Sequence, residues 1–512
     1  MKKISWPWIV PVGALLIACG DDGSGGSGAS GGSGGSGGIA GSGGIAGSGG
    51  SGGNTGGGGS SGDGNDSFAE AIQLDVMGTA QSGELDPAAD NDYFKFDGMA
   101  GQAIVITTDA KPELDPFEAG YADLVITLYD ANQNQIAEND DPVPRATQDS
   151  QLFTVLPATD TYYLRVSEFC LSWNPETTAN CPAYTSLTNG SYTIAVQALD
   201  PMTNSLIEET EPNDGAATAS TWEFEENMTA GQYFPSIAWG DFAAADGVDF
   251  YSFTPPANVA LDSVAFGGYV GRFVADFWFY PSGSGASGSL DDVGIVQLVD
   301  AATMEVVAEL DANLAMEAPD LTEGNIYAAR LSTPLLADGA KEYYLVVNKQ
   351  GAQSGAGYFY FVWGGIGPSS PVEGDVDTDP LGDGNDTPAV ADSLLGQGDA
   401  ADGFLYFVDG NLDTPGDVDF YAVPNTAPAV LTSCKGASIG SGASLKLSLV
   451  EADGSLIAGG ATKTESVAGG SDIPPVATPA GGGAFFLKVE KVLQDPDVLS
   501  DHYSCVVVVG DL

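Results

Sequence analysis

The chain is short of histidine, of basic residues, of cysteine and of long apolar runs. His502 is its single histidine. That excludes His-rich zinc sites and makes any Ser/His or Cys/His catalytic pair depend on one residue. Only 15 lysines and arginines stand against 70 acidic residues, a formal charge of −55. Nucleic acid and anionic lipid headgroups gain nothing from a surface of their own sign, so neither is an expected partner. Surface charge adapted to high salt is one reading of the excess. Helical periodicity is scarce, and Ser67 to Leu74 has room for a turn or two at most. What is present is ordinary for a folded chain, with 43% hydrophobic and 9% aromatic residues. At about 150 residues per domain the length suggests about three domains.

The first residues read as an export signal. Lys2 and Lys3 precede a mostly apolar stretch from Ile4 to Ile17, too short to span a membrane comfortably. It ends in Leu16-Ile17-Ala18-Cys19-Gly20, which resembles the bacterial lipoprotein signal. The resemblance implies a signal peptide over 1–18, lipidation of Cys19, and anchoring to the outer membrane on the cell-surface or periplasmic side. An ordinary secretory signal with an incidental cysteine is the rival. Residues 19–61 are a Gly/Ser-rich tether, unable to bury enough apolar surface to offset ordering entropy.

Beyond residue 62, short alternating apolar runs between Asn, Asp, Gly and Pro predict an all-β chain of tandem sandwiches or barrels. One order of elements is written three times. Each unit opens on an acid-x-Asn-Asp signal, at Asp63-Gly64-Asn65-Asp66, Glu211-Pro212-Asn213-Asp214 and Asp383-Gly384-Asn385-Asp386. An Asp-aromatic strand follows, marked by Asp90 and Asp92, Asp246 and Asp249, and Asp417 and Asp419. A hairpin with an acidic corner comes next, then Tyr162 to Val166, Tyr343 to Val347 and Phe485 to Val489. The closing strands run from Tyr192, Tyr358 and Tyr503.

This succession resembles the bacterial pre-peptidase C-terminal domains, relatives of the collagen-binding domains of clostridial collagenases. The resemblance implies jelly-roll-like β-sandwiches that are accessory modules and not catalysts, several of which bind calcium near the amino-terminal edge. The expected organisation is a first sandwich over 62–200, a second over 206–366 with an insertion, an acidic linker over 367–382, and a divergent third over 383–512. Carried over by position, the calcium ligands are Glu209, Glu211, Asn213, Asp214, Asp246 and Asp249 in the second unit. The first unit offers Asp63, Asn65, Asp66, Asp90 and Asp92, and the third Asp383, Asn385, Asp386, Asp417 and Asp419. Two residues apart puts both carboxylates on one strand face, whereas three apart needs a bend. The linker adds Asp375, Asp377, Asp379, Asp383 and Asp386 at EF-hand-like spacing, with Pro380 where a glycine is usual. The rival reading is that Asp, Asn and Gly are simply common in turns.

Four cysteines besides Cys19 predict disulfides in an oxidising compartment, Cys170 with Cys181 and Cys434 with Cys505. Gly436-Ala437-Ser438-Ile439-Gly440 matches a nucleophile-elbow pattern, yet another strand follows it instead of a helix, so a hairpin loop is the better reading. The second unit's extra segment, Phe273 to Tyr280, puts Trp278 and Tyr280 on one strand face and Phe277 and Phe279 on the other. The first pair is a candidate ligand face for a sugar ring or peptide. The sequence therefore predicts a non-catalytic, lipid-anchored protein with Ca2+-associated sandwiches that binds or adheres to extracellular peptide or polysaccharide. An accessory or divergent hydrolase and a structural spacer are the alternatives, and the oligomeric state stays open.

Overall fold

The computed structural model describes residues 64–86, 89–110, 122–140, 149–169, 190–199, 206–223, 236–241, 247–255, 272–279, 288–289, 293–312, 329–336, 341–351, 357–368, 385–394, 396–399, 403–412, 416–425, 428–458, 460, 463–465, 471–479 and 483–510. The signal, the tether and the acidic linker lie outside these residues, as do Asp63, Asp246, Asp383, Cys170, Cys181 and Tyr280.

Alternation makes the strands. In Asn91–Gly98 the residues Asp92, Phe94 and Phe96 are buried while Asn91, Tyr93 and Lys95 are less so. That period of two sends one face to the core and the other towards water. Among the described residues nine strands build the first sandwich: β1 (Ile72–Gln73), β2 (Gln81–Leu85), β3 (Asn91–Gly98), β4 (Ala103–Ala110), β5 (Leu124–Tyr129), β6 (Gln135–Asn139), β7 (Gln151–Val155), β8 (Asp160–Glu168) and β9 (Gly190–Ala198). They form two sheets, ordered β1-β3-β8-β5-β6 and β2-β9-β4-β7. The expected helical turns shrink to one turn, closed by Glu70 N–H to Ser67 O, because Ile72 and Gln73 join β3 as a strand.

The second sandwich uses β10 (Leu206–Glu208), β11 (Ser220–Thr221), β12 (Ser236–Asp241), β13 (Val248–Phe253), β14 (Arg272–Phe279), β15 (Val293–Asp300), β16 (Val306–Asp311), β17 (Ala329–Leu336), β18 (Tyr343–Lys349) and β19 (Phe359–Pro368). Its sheets are β11-β13-β18-β15-β16 and β10-β12-β19-β14-β17. The third uses β20 (Asp392–Ser393), β21 (Gly396–Asp399), β22 (Gly403–Asn411), β23 (Val418–Val423), β24 (Ala429–Lys435), β25 (Ala443–Glu451), β26 (Lys463–Thr464), β27 (Ser471–Ala477), β28 (Phe485–Gln494) and β29 (His502–Gly510). These pair as β20-β23-β28-β25-β26 and β21-β22-β29-β24-β27.

The repetition is one of topology as well as sequence. In each sandwich a two-residue strand runs parallel to the Asp-aromatic strand, beginning opposite Phe94, Tyr251 or Tyr421. Each has its own core from both sheets, around Phe94, Leu128 and Ile194 in the first, Tyr251, Phe277 and Leu345 in the second, and Leu447, Leu487 and Val507 in the third. Burying a side chain of this size stabilises by about 1.5–3 kcal/mol.

The sandwiches touch. Ala103, Val105 and Phe153 on the outer face of the first pack against Phe359 and Phe361 of the second, with Trp239 and Trp363 half-buried beside them. The Phe153 and Phe361 rings lie 5.3 Å apart. The third meets the second through main-chain hydrogen bonds, from Leu499 N–H to Val306 O (3.0 Å) and Ser500 N–H to Val307 O (2.8 Å). Among the described residues no helix is long and apolar enough to cross a membrane.

Candidate functional site

The three Asp-aromatic strands place one aspartate each at the same point between the sheets. Asp92, Asp249 and Asp419 are buried. Each accepts a hydrogen bond from a tyrosine hydroxyl of the facing sheet: Tyr192 to Asp92, Tyr360 to Asp249 at 2.8 Å, and Tyr503 to Asp419 at 2.5 Å. A buried carboxylate needs such partners, so the bond ties one sheet to the other. In the second unit the partner is Tyr360 and not Tyr358, because the closing strand sits two residues later than the aromatic pattern suggests.

A glycine completes each bracket. Gly83, Gly240 and Gly410 lie directly opposite Tyr192, Tyr360 and Tyr503 on the neighbouring strand. A Cβ on Gly83 would stand 2.4 Å from Tyr192 Cζ, and one on Gly240 would stand 2.5 Å from the Tyr360 hydroxyl. The missing side chain makes room for the ring. Each glycine precedes its aspartate by the same interval (83 and 92, 240 and 249, 410 and 419), a signal the acidic residues had overshadowed.

The opening asparagines are structural as well. Asn65, Asn213 and Asn385 are buried, and their carbonyls accept the amides of Tyr93 (2.8 Å), Phe250 (2.9 Å) and Phe420 (3.0 Å). Asp90 and Asp417 lie one residue ahead of their strands, where each accepts the following amide at 2.8 Å.

Among the described residues, the second unit crowds its bracket with further acid. Glu209 accepts the Asp241 amide and the Asn213 side-chain amide, the latter at 3.2 Å, and stands beside Asp249. Glu211 accepts the Asn213 amide at 2.9 Å. Burial, and then the Asp249 charge, push the Glu209 carboxyl up to about 9. Burial, with the charges of Glu211 and Asp214, pushes Asp249 up to about 7 against the Tyr360 hydrogen bond. Tyr251 lies behind, its hydroxyl 2.7 Å from that of Tyr360. The Asn213 Oδ1 is buried without a hydrogen-bond partner among the described residues, as are both side-chain polar atoms of Asn385. Carboxylates and an amide carbonyl are the hard oxygen donors that calcium takes. Yet among the described residues no three acidic, histidine or cysteine side chains gather closely enough to hold a metal ion. Asp63, Asp246, Asp375, Asp377, Asp379 and Asp383 lie outside those residues, so the described donors alone make an incomplete shell.

The remaining sequence candidates resolve differently. Ser438 lies in a 3-10 turn, Ala437–Ile439, and donates to Glu465 Oε1 at 2.9 Å. The Glu465 carboxylate also accepts the amides of Gly436, Ala437, Ser438 and Leu445. Burial pushes its carboxyl up, partly offset by these donors. No local sequence pattern singles out Glu465. His502 is buried, with Nδ1 3.1 Å from Gly410 O. Cys434 and Cys505 face each other on β24 and β29 and are joined as a disulfide. Phe277 and Phe279 are buried in the second core; Trp278 pairs with Trp363 and Arg330 in register, its side chain outside what is described.

No curated protein sequence matches the chain. Among solved structures it is similar to the pre-peptidase C-terminal domain of a collagenase from Bacillus anthracis, at 15% identity over 25% of this chain and 94% of that one, with a TM-score of 0.17. A periplasmic inhibitor of g-type lysozyme from Aeromonas hydrophila gives 14%, 25%, 97% and 0.17 for the same quantities. A triple jelly roll protein of an archaeal virus gives 9%, 85%, 89% and 0.16. The model of the bacterial pre-peptidase C-terminal domain family matches residues 90–168. The resemblance seen in the repeats is thus met by that family within the first sandwich, a non-catalytic kind of module.

Proposed function

We propose that the chain is a non-catalytic surface protein, exported and held by a lipidated Cys19, that presents three sandwiches for binding extracellular peptide or polysaccharide. Ca2+ at the crowded bracket of the second sandwich is part of this reading. Of the described residues, Glu209, Asp249 and the side-chain Oδ1 of Asn213 would contribute to holding it, with Glu211, Asp214 and Asp246 the further donors that the resemblance supplies. The observation that carries the proposal is the thrice-repeated buried bracket. The side chains most regular in sequence tie sheet to sheet, the economy of a scaffold whose outer faces do the binding.

The test uses the secreted Cys19→Ser chain, incubated with insoluble collagen, chitin, cellulose and peptidoglycan, with calcium and with chelator. Retention on one polymer, lowered by chelator, is the expected result. Soluble product released from a polymer, and lost in Glu209→Gln, would install the hydrolase reading instead. A chain that is exported and surface-accessible but retained by no polymer is a spacer.

A further inference from the structure

β16 is the last strand of its sheet, and an edge strand carries outward N–H and C=O groups that need partners or cover. Here the cover comes from the third sandwich. Glu309 N–H donates to Gly440 O at 2.9 Å, while Val306 O and Val307 O accept Leu499 and Ser500. Thr333 on β17 adds a hydroxyl contact to Ser500 Oγ at 3.1 Å. Gly440 fits tightly: a Cβ there would stand 2.3 Å from Leu331 Cδ1, and its φ of +94° is one that glycine adopts freely.

The two covering pieces are one device. Gly442 N–H donates to Ser500 O at 2.7 Å, Asp495 N–H donates to Gly442 O at 2.8 Å, and Ser441 Oγ reaches Ser500 O at 3.1 Å. At its centre is Glu465, whose buried carboxylate takes three successive amides of the turn, the Ser438 hydroxyl and the Leu445 amide. Hydrogen bonds to one charged acceptor fix a short turn far more firmly than its own two 3-10 contacts would.

We propose that residues 436–442 form a docking clip which locks the third sandwich onto the edge strand of the second, and that Glu465 is its positioning residue. The serine pattern that suggests a nucleophile is then a joint. The hydrogen bonds of Glu465 among the described residues all stay within the third sandwich; it acts by holding Gly440 O, and through Gly442 the 495–500 loop, in the geometry that β16 accepts.

Hydrogen exchange of the purified full chain, resolved to single amides, tests this. Glu309, Leu499 and Ser500 donate only across the joint, so in the native chain they should be protected together. Glu465→Gln should speed all three by about tenfold or more while amides of β24 and β29 keep their rates. Rapid exchange of Glu309 in the native chain overturns the proposal, as does a Glu309 that stays slow in Glu465→Gln. Should Glu465→Gln also loosen β24 and β29, Leu499→Pro decides, since it removes one joint donor at an exposed side chain. Faster Glu309 exchange in Leu499→Pro supports the clip, and an unchanged rate rejects it.

Discussion

The first and second sandwiches carry the same bracket, and among the described residues further acids crowd it in the second. In the first, Asp92 faces Tyr192, with the Phe94 ring edge-on at 6.4 Å behind it. In the second, Asp249 faces Tyr360 but shares its pocket with Glu209, and the charges of Glu211 and Asp214 reach it. The aspartate, the tyrosine and the glycine are common to all three sandwiches and are what joins sheet to sheet in each. The extra acids of the second therefore serve something other than the joint, and like charges in a buried pocket ask for a proton or a cation.

Calcium should widen that difference most. At about a hundredfold excess over its dissociation constant, an ion bound only by the folded state adds about 2.7 kcal/mol. Exchange protection in β13 and β19 should rise by that amount with calcium but not with magnesium, and β3 and β9 should be unmoved. Glu209→Gln should remove the rise. A gain of equal size in all three sandwiches would mark a general salt effect.

Next in size is the same substitution made in each bracket. Asp92→Asn or Asp419→Asn replaces a tyrosine-bonded buried oxygen by an amide group that then needs its own acceptor, costing about 2 kcal/mol. Without calcium, Asp249→Asn should be close to neutral or stabilising, since it also removes a buried charge from beside Glu209. Thermal unfolding followed by exchange in each sandwich separates the three. Equal losses would mean that the crowding in the second carries no electrostatic penalty.

Acidity probes the pair more gently. Glu209 and Asp249 hold protons more tightly in the folded chain, at about 9 and about 7 against ordinary values of 4.5 and 3.8. Folding therefore takes up protons, and the second sandwich should be most stable at low pH within this window. Its stability should fall as pH rises from about 4 towards 9, by about 1–2 kcal/mol after allowance for coupling and partial solvent contact. Glu209→Gln should flatten the slope, measured without calcium. A slope of the opposite sign would show that other carboxylates dominate.

Strand alternation and the order of the repeats were legible because period-two burial is local and the repeats share it. The brackets were half legible. Asp92, Asp249 and Asp419 stood out by regularity, but a ligand aspartate and a tethering aspartate look alike. Their tyrosines lie 100, 111 and 84 residues away, across the sandwich, and register alone joins them. The constant interval from Gly83, Gly240 and Gly410 was the available clue. Docking left no local trace, since Glu309 and Gly440 belong to different repeats. The serine of the Gly-x-Ser-x-Gly match could be doubted from the following strand, whereas its bond to Glu465 required the fold.

The smallest effect concerns the residue behind the bracket, where the sandwiches run a natural substitution series. Phe94 in the first occupies the place of Tyr251 in the second and Tyr421 in the third. Tyr421 and Tyr503 hydroxyls lie 2.5 Å apart, and Tyr503 bonds Asp419 in turn. Tyr421→Phe removes one hydroxyl and leaves Tyr503 its carboxylate, so no buried donor is orphaned. The cost should be about 1 kcal/mol or less in the third sandwich. Tyr251→Phe should cost at least as much, because that hydroxyl meets Tyr360 and also hydrogen-bonds Glu209. The reverse change, Phe94→Tyr, would put a new hydroxyl beside Tyr192 and needs the space that the third sandwich provides. If Tyr421→Phe instead costs as much as Asp419→Asn, the tyrosine pair is the joint itself, and the first sandwich must be held together in another way.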